Sequence, residues 1–178
     1  MKDGTAETIL SVASELFAER GAYGTSLGDI AKSAGISKGT LYYYYPTKQA
    51  VVEAVSDRCL SGISSRLFAW VDTVRQDADP AESLGALCDA LIGDSMQLRI
   101  FIAVNDVAEP GSELEASLDR AMNEWNVMIE VGSMRMRADI AAKMKRLNAA
   151  ILPFFCGLAA LNADGEYAKA AFTALIMG

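Results

Sequence analysis

The chain contains no histidine. That removes the side chain most often used as a general base and the commonest metal ligand. Its three cysteines, Cys59, Cys88 and Cys156, stand far apart in apolar helical contexts. Such spacing suggests neither a disulfide framework nor a metal site, and a cytoplasmic location is expected. No stretch of membrane-spanning length is free of charge and strong polarity, so no membrane span is expected. No basic start followed by an apolar run opens the chain, so no signal peptide is read. Positive charge is also short: the net charge is −7 and the pI about 4.6, which taken whole disfavours nucleic acid. Acid is missing from one window. Between Asp29 and Glu53 the only charged side chains are Lys32, Lys38 and Lys48. The first 48 residues balance, so the net charge of −7 falls on the remainder. An acidic chain with one acid-free basic window can present that window to phosphate. The competing reading is three solvated lysines.

What is present is apolar and helical. Hydrophobic residues make up 52% of the 178 and charged ones 22%, which excludes a disordered chain. The length fits one domain, or a small module fused to a larger one. Val and Ile rarely alternate with polar residues, so the fold class expected is all-α. Ile9, Val12, Ala13, Leu16 and Phe17 form an apolar stripe on a helix over about 6–20, closed by Gly21 and Gly24. Ser26 with Asp29 makes a near capping box for a short second helix. Gly35 allows a tight turn, Ser37 caps a third helix, and Pro46 stops it. Thr47 can cap a long fourth helix carrying Val51, Val55, Cys59, Ile63, Leu67, Trp70 and Val74. Later helices are expected near 81–92, 95–108, 112–136, 138–162 and 165–177, with a kink at Pro153.

The run Tyr42-Tyr43-Tyr44-Tyr45 raises its own question, because neighbours on a helix point about 100° apart and cannot share a face. Residues 26–45 read as helix, glycine turn, short helix, an arrangement whose second helix enters the DNA major groove. Residues four apart share a face. Leu41 with Tyr45 should face inward, against Phe17 and Ile30. Tyr42 then follows Lys38 outward, Gly39 leaves room for close approach, and Thr40 and Tyr44 offer hydroxyls to phosphate. One ring would be structural and the others would line a groove wall; the alternative for any single ring is ordinary packing.

The segment TSLGDIAKSAGISKGTLYYYYPTK, with Ile9-Leu10, Ala13, Leu16-Phe17 and Gly21 before it, resembles the N-terminal signature of the tetracycline-repressor (TetR) family. The likeness covers about residues 7–55. It implies an N-terminal three-helix helix-turn-helix DNA-binding domain over 1–47, and a C-terminal helical ligand-binding and dimerisation bundle over 48–178. It further implies a homodimer on a palindromic operator in double-stranded DNA. On matching positions, Thr25 and Ser26 would contact phosphate. Lys38, Gly39 and Tyr42 would face bases, with Ser37 capping the same helix, and Thr40, Tyr43 and Tyr44 would lie nearer the backbone. Lys48 would hold phosphate at the start of the connecting helix. Tyr45 stands where the family usually has Phe. The first six residues carry only Lys2 as a basic side chain, which weakens the case for a minor-groove arm.

Beyond residue 48 two features stand out. The helices about 138–162 and 165–177 are rich in Ala, Leu and Gly, and the resemblance implies that they form a four-helix dimer interface. Met96, Arg99, Ile100, Asn105, Trp125, Ile129 and Phe155 are candidates for a small-molecule pocket, with a flat, aromatic or lipophilic effector expected; plain core is the competing reading. The function expected is a ligand-responsive dimeric transcriptional repressor. The alternative is a DNA-binding protein of the same fold without a small-molecule effector, architectural or regulated by a protein partner. An enzyme would need Cys88, a lysine or Glu109, which form no recognisable constellation. No catalytic residue, cofactor or metal is therefore expected.

Overall fold

A computed structural model describes the backbone of residues 2–178 and the side chains from Gly4 onward. The described residues form helices joined by turns, without strands: α1 Lys2–Arg20, α2 Leu27–Ser33, α3 Lys38–Tyr44, α4 Lys48–Thr73, α5 Pro80–Ile92, α6 Ser95–Asn105, α7 Glu113–Met134, α8 Ala138–Ala160 and α9 Gly165–Met177. The boundaries follow local chemistry. Ser26, Ser37, Thr47, Asp79, Asp94, Ser112 and Asp164 each cap a helix start through the side chain. Gly21, Gly35 and Gly111 turn the chain with φ of +81°, +65° and +79°.

One expectation about α1 changes. The helix begins near Lys2 rather than at residue 6, because nothing in Asp3-Gly4-Thr5-Ala6 stops it and Thr8 Oγ1 donates to Gly4 O at 2.8 Å. Residues 2–6 therefore do not form an extended arm, while Met1 and the side chain of Lys2 lie outside the described residues. At the other end, α8 runs through Pro153, which is exposed.

The first three helices pack around Ile9, Ala13, Phe17, Ile30 and Leu41, all essentially inaccessible. Val51 and Val55 at the start of α4 close this small core and lead into the larger one. There α4 lies against α5, α6 and α7, while α7 pairs with α8 and α5 with α9. Trp70 donates from Nε1 to Ser83 O at 2.9 Å, and Trp125 from Nε1 to Ser64 Oγ at 2.8 Å. These bonds satisfy both indoles inside the core. Phe155 and Phe172 pack at a tilt of 54° with a 5.0 Å centroid separation where α8 meets α9. The α1–α6 packing ties the N-terminal unit to the bundle.

Candidate nucleic-acid interface

The interface is built on α2, the turn and α3. Ser26 Oγ accepts from Asp29 N at 3.1 Å, and Asp29 Oδ2 accepts from Ser26 N at 2.9 Å. The near capping box is thus a complete one. Asp29 Oδ2 also accepts from Ser26 Oγ at 2.6 Å, and these bonds hold its carboxyl below the ordinary value. After Gly35, Ile36 N returns to Ala31 O at 3.0 Å, which fixes the angle between the two helices. Ser37 Oγ then accepts from Thr40 N at 3.0 Å and lies 2.8 Å from Thr40 Oγ1. The hydroxyls of Ser37 and Thr40 are consequently engaged with each other at the start of α3.

The side chains of α3 divide as the four-residue spacing requires. Leu41 is fully buried. Tyr45 is half-buried beside it, and burial, reinforced by the Glu7 charge, raises its phenol. Tyr42 and Tyr43 stand out, 51% and 67% exposed, next to exposed Lys38 and Gly39. A Cβ on Gly39 would meet only Ser37 Oγ, at 3.7 Å, so this face is open. Tyr44 differs from expectation. It is half-buried and takes the Tyr43 ring edge-on at 5.3 Å, so two rings of the four pack against the core rather than one. Lys38 reaches back across α2, where a Cβ on Gly28 would lie 3.4 Å from its Nζ.

Thr25 also departs from its expected role. Its side chain is 1% exposed, and its hydroxyl donates to Gly21 O at 2.9 Å. A hydroxyl committed to the α1–α2 turn has none to give phosphate. Ser26 remains at the surface. Lys48 is the first residue of α4, and its Nζ donates to Tyr23 O at 3.2 Å. That bond ties the ammonium at the start of α4 to the turn between α1 and α2. Tyr23 itself, 89% exposed in the same turn, was not singled out by sequence pattern; its signal is an aromatic ring between two turn glycines.

The candidate pocket residues do not converge. Trp125, Ile129 and Phe155 are buried in packed core, and Trp125 lies against Phe101 at 5.3 Å. Asn105 is exposed at the end of α6. Arg99 lines a cleft of about 260 Å³ between α1, α6 and α8, where its Nη1 donates to Asn162 Oδ1 at 2.7 Å. Met96 and Ile100 line a different cleft, of about 160 Å³, between α1, α4 and α6. Helical periodicity marks an inward face but cannot say whether a cavity or a neighbour lies behind it.

No described helix is long and apolar enough to cross a membrane, and no described group of His, Cys, Asp or Glu could hold a metal ion. Cys59 and Cys88 are buried, which pushes both thiols up to about 12. Thiols so weakly ionised are poor nucleophiles.

Residues 9–55 match the family model of bacterial regulatory proteins, tetR family. The transcriptional regulator LmrA of Bacillus subtilis is 30% identical over 132 residues, covering 70% of this chain and 68% of that protein. The transcriptional repressor KstR2 of Mycobacterium tuberculosis is 40% identical over 80 residues, covering 44% of this chain and only 38% of its own length. Among solved structures, a transcriptional regulator from Saccharomonospora viridis in complex with choline superposes with a TM-score of 0.78 at 18% identity, covering 98% and 96% of the two chains. A regulator from Aquifex aeolicus VF5 gives a TM-score of 0.69 at 22% identity, covering 94% and 95%. The helix-turn-helix, the bundle behind it and the extent of the LmrA match agree: this chain belongs to the TetR family and is a DNA-binding transcriptional regulator.

Proposed function

We propose that the protein is a homodimeric repressor that reads a palindromic operator and is released from it by a small molecule. The observation that carries the DNA-reading part is the open face of α3. Lys38, Gly39, Tyr42 and Tyr43 present a charge, a gap and two phenols on one short exposed helix. Lys38 and Tyr42 would reach base edges across Gly39. Tyr43, Tyr44, Thr40, Ser37 and Ser26 would lie along the sugar-phosphate backbone, where Lys48 adds positive charge. Residues 1–47 form the reading unit and 48–178 the regulatory one.

The dimer is supported by what α8 and α9 leave uncovered. Ala149, Ala150, Pro153, Gly157 and Ala160 on α8 are exposed, and Leu161, Tyr167 and Leu175 are 80%, 64% and 53% exposed. Small residues allow close helix approach, and a self-complementary patch suits a two-fold axis. The two α3 helices would then sit about one DNA turn apart, roughly 34–36 Å. An effector acts by favouring a dimer with another spacing, and its leverage equals its differential affinity for the two states. The choline held by the regulator of like fold supports a small molecule as effector. Relatives that regulate transcription in bacteria support a cytoplasmic site of action and make an enzyme unnecessary.

A second reading omits the effector. It is favoured by the scattering of the seven candidate pocket residues over core, surface and two separate clefts. The deciding experiment is selection from a randomised duplex pool, then titration of the winner across salt concentrations. A palindromic winner whose affinity falls steeply with salt supports two-fold reading with several phosphate contacts. Absence of enrichment sinks it. A screen for small molecules that release the winner separates the two readings.

A further inference from the structure

We propose that the groove between α4 and α7 docks a helical segment of a partner protein, apolar along one half and basic along the other. Among the described residues, large apolar side chains stand exposed in three places. One is the reading unit and one is the α8–α9 face. The third is a row made by Phe68 on α4 and by Val127, Val131 and Met134 on α7, which are 63%, 58%, 42% and 72% exposed. Neither DNA nor the proposed dimer uses this row. Clustered apolar exposure on a folded chain marks a contact surface.

The groove follows from how the two helices lie. Trp125 donates to Ser64, a Cβ on Gly132 would overlap Trp70, and Arg135 Nη1 donates to Val71 O at 2.8 Å. Paired positions rise together, so α4 and α7 run in the same direction. Along their first halves, clefts of about 350 Å³ and 340 Å³ open between them and share Asp57, Ser117 and Arg120. Phe68 lies four residues beyond Ser64 of that lining. Val127 and Val131 lie seven beyond Arg120 and Glu124, so all three continue the same faces. Met134 lines a third cleft with Val74 and Arg75, at the end of α4.

Charge selects the occupant. The paired clefts are lined by Glu53, Asp57, Glu113 and Glu124 and by one guanidinium, Arg120, which pairs with Glu113 at 2.9 Å. Asp57 and Glu124 have no ionic or hydrogen-bonding partner among the described residues. Glu53 accepts only from the Gln49 amide, at 3.0 Å. Three carboxylates thus lack a cation at the start of a groove that turns apolar farther on. Its complement carries Lys or Arg at one end and aliphatic side chains at the other. From Glu53 to Phe68 is roughly 22 Å, four turns of helix. A helix satisfies its own backbone over that length, and the described residues offer no sheet edge for a strand to join. Basic residues suit the partner's C-terminal end, where they complement the helix dipole, so the docked helix runs antiparallel to α4. A second copy fits less well. α7 packs against α4 and against α8, and so separates the groove from the α8–α9 face.

A helix held there grips the rod that begins at Lys48, directly behind the reading unit. Any effect on the operator rests on the proposed DNA reading; the docking does not.

The test uses the full chain and a fluorescein-labelled, Ala-rich peptide of about 16 residues. Leu lines one face of its N-terminal half, and Lys lines the same face of its C-terminal half. A control peptide of equal composition spreads its Leu and Lys around the helix. Anisotropy is expected to show saturable binding of the first peptide, one per chain, and at least tenfold weaker binding of the control. At least a tenfold loss is also expected in Phe68→Ser and in the double variant Asp57→Asn with Glu124→Gln. All three positions are exposed, and melting curves establish that the variants fold. No binding, equal binding of the control, or variants that bind as the parent does overturn the docking. Sedimentation of Phe68→Ser as a smaller species than the parent also overturns it, because a second copy then covers the face. A chain that takes the peptide but enriches no operator keeps the docking surface and loses the repressor. One that reads an operator and refuses the peptide does the reverse.

Discussion

At the scale of single residues, the exposed and buried members of the reading unit have opposite expectations. Tyr42 is half in solvent and is not one of the side chains that make or pack against the core, so Tyr42→Ala should leave the melting temperature unchanged. Operator affinity should fall by about 1–3 kcal/mol, measured by fluorescence anisotropy. Thr25 is the reverse case. Its hydroxyl serves Gly21 O inside the turn, so Thr25→Val should cost about 1 kcal/mol of stability in urea titration. Its effect on DNA should be no larger than that loss explains. An affinity that collapses in a folded Thr25→Val would restore the phosphate role to this residue. The contrast shows what a sequence can say about a site. The outward path of Lys38 and Tyr42 followed from their spacing to buried Leu41. The fate of Thr25 turned on one hydroxyl choosing a carbonyl in the turn before it, and side-chain type does not announce that choice.

At the scale of elements, caps and packing make separate predictions. Asp29 titrates below its ordinary value of 3.8, chiefly through the Ser26 hydroxyl and then the Ser26 amide. A depressed folded value means the carboxylate adds stability above the unfolded value, and loses it as pH falls through the folded one. Asp29→Asn should therefore melt lower than the parent at neutral pH, and the two curves should converge as the pH falls through the lowered value. Curves that stay parallel down to acid pH would deny the carboxylate this role. In the bundle, a Cβ on Gly132 would overlap the six-membered ring of Trp70, a side chain only 3% exposed. Gly132→Ala should destabilise by about 1–3 kcal/mol in denaturant titration, although it raises helix propensity. Helix placement was the most legible part of this chain. Ser, Thr and Asp caps and glycine turns put the later helices within a few residues of where they lie. The start of α1 was missed because no residue before Ala6 either begins or forbids a helix. A ligand pocket was not legible, because α5 to α8 are apolar on faces that meet one another, and a periodic stripe does not distinguish packing from cavity.

At the scale of the whole molecule, two copies are the unit that acts on DNA in the proposed function. Gly157 offers a clean probe. It is exposed, and a Cβ built there meets nothing within 4 Å of it in the single chain. Gly157→Glu should therefore fold, with helicity by circular dichroism unchanged. It should sediment as a monomer, because a carboxylate would be buried against its symmetry mate. Operator affinity should drop by at least tenfold once half-sites are read one at a time. A dimer that survives this substitution would move the interface away from α8.

The length of α4 sets a scale for control. Its 26 residues make a rod of roughly 39 Å, stiff through its hydrogen-bonded backbone and anchored in the bundle at the Trp70 end. A tilt of about 5° about that anchor would carry Lys48 sideways by roughly 3.4 Å. That distance is one base-pair step along the duplex. In the proposed function such a rod would work as a vernier: angular play too small to disturb the packed core would become a whole unit of misregistration at the groove.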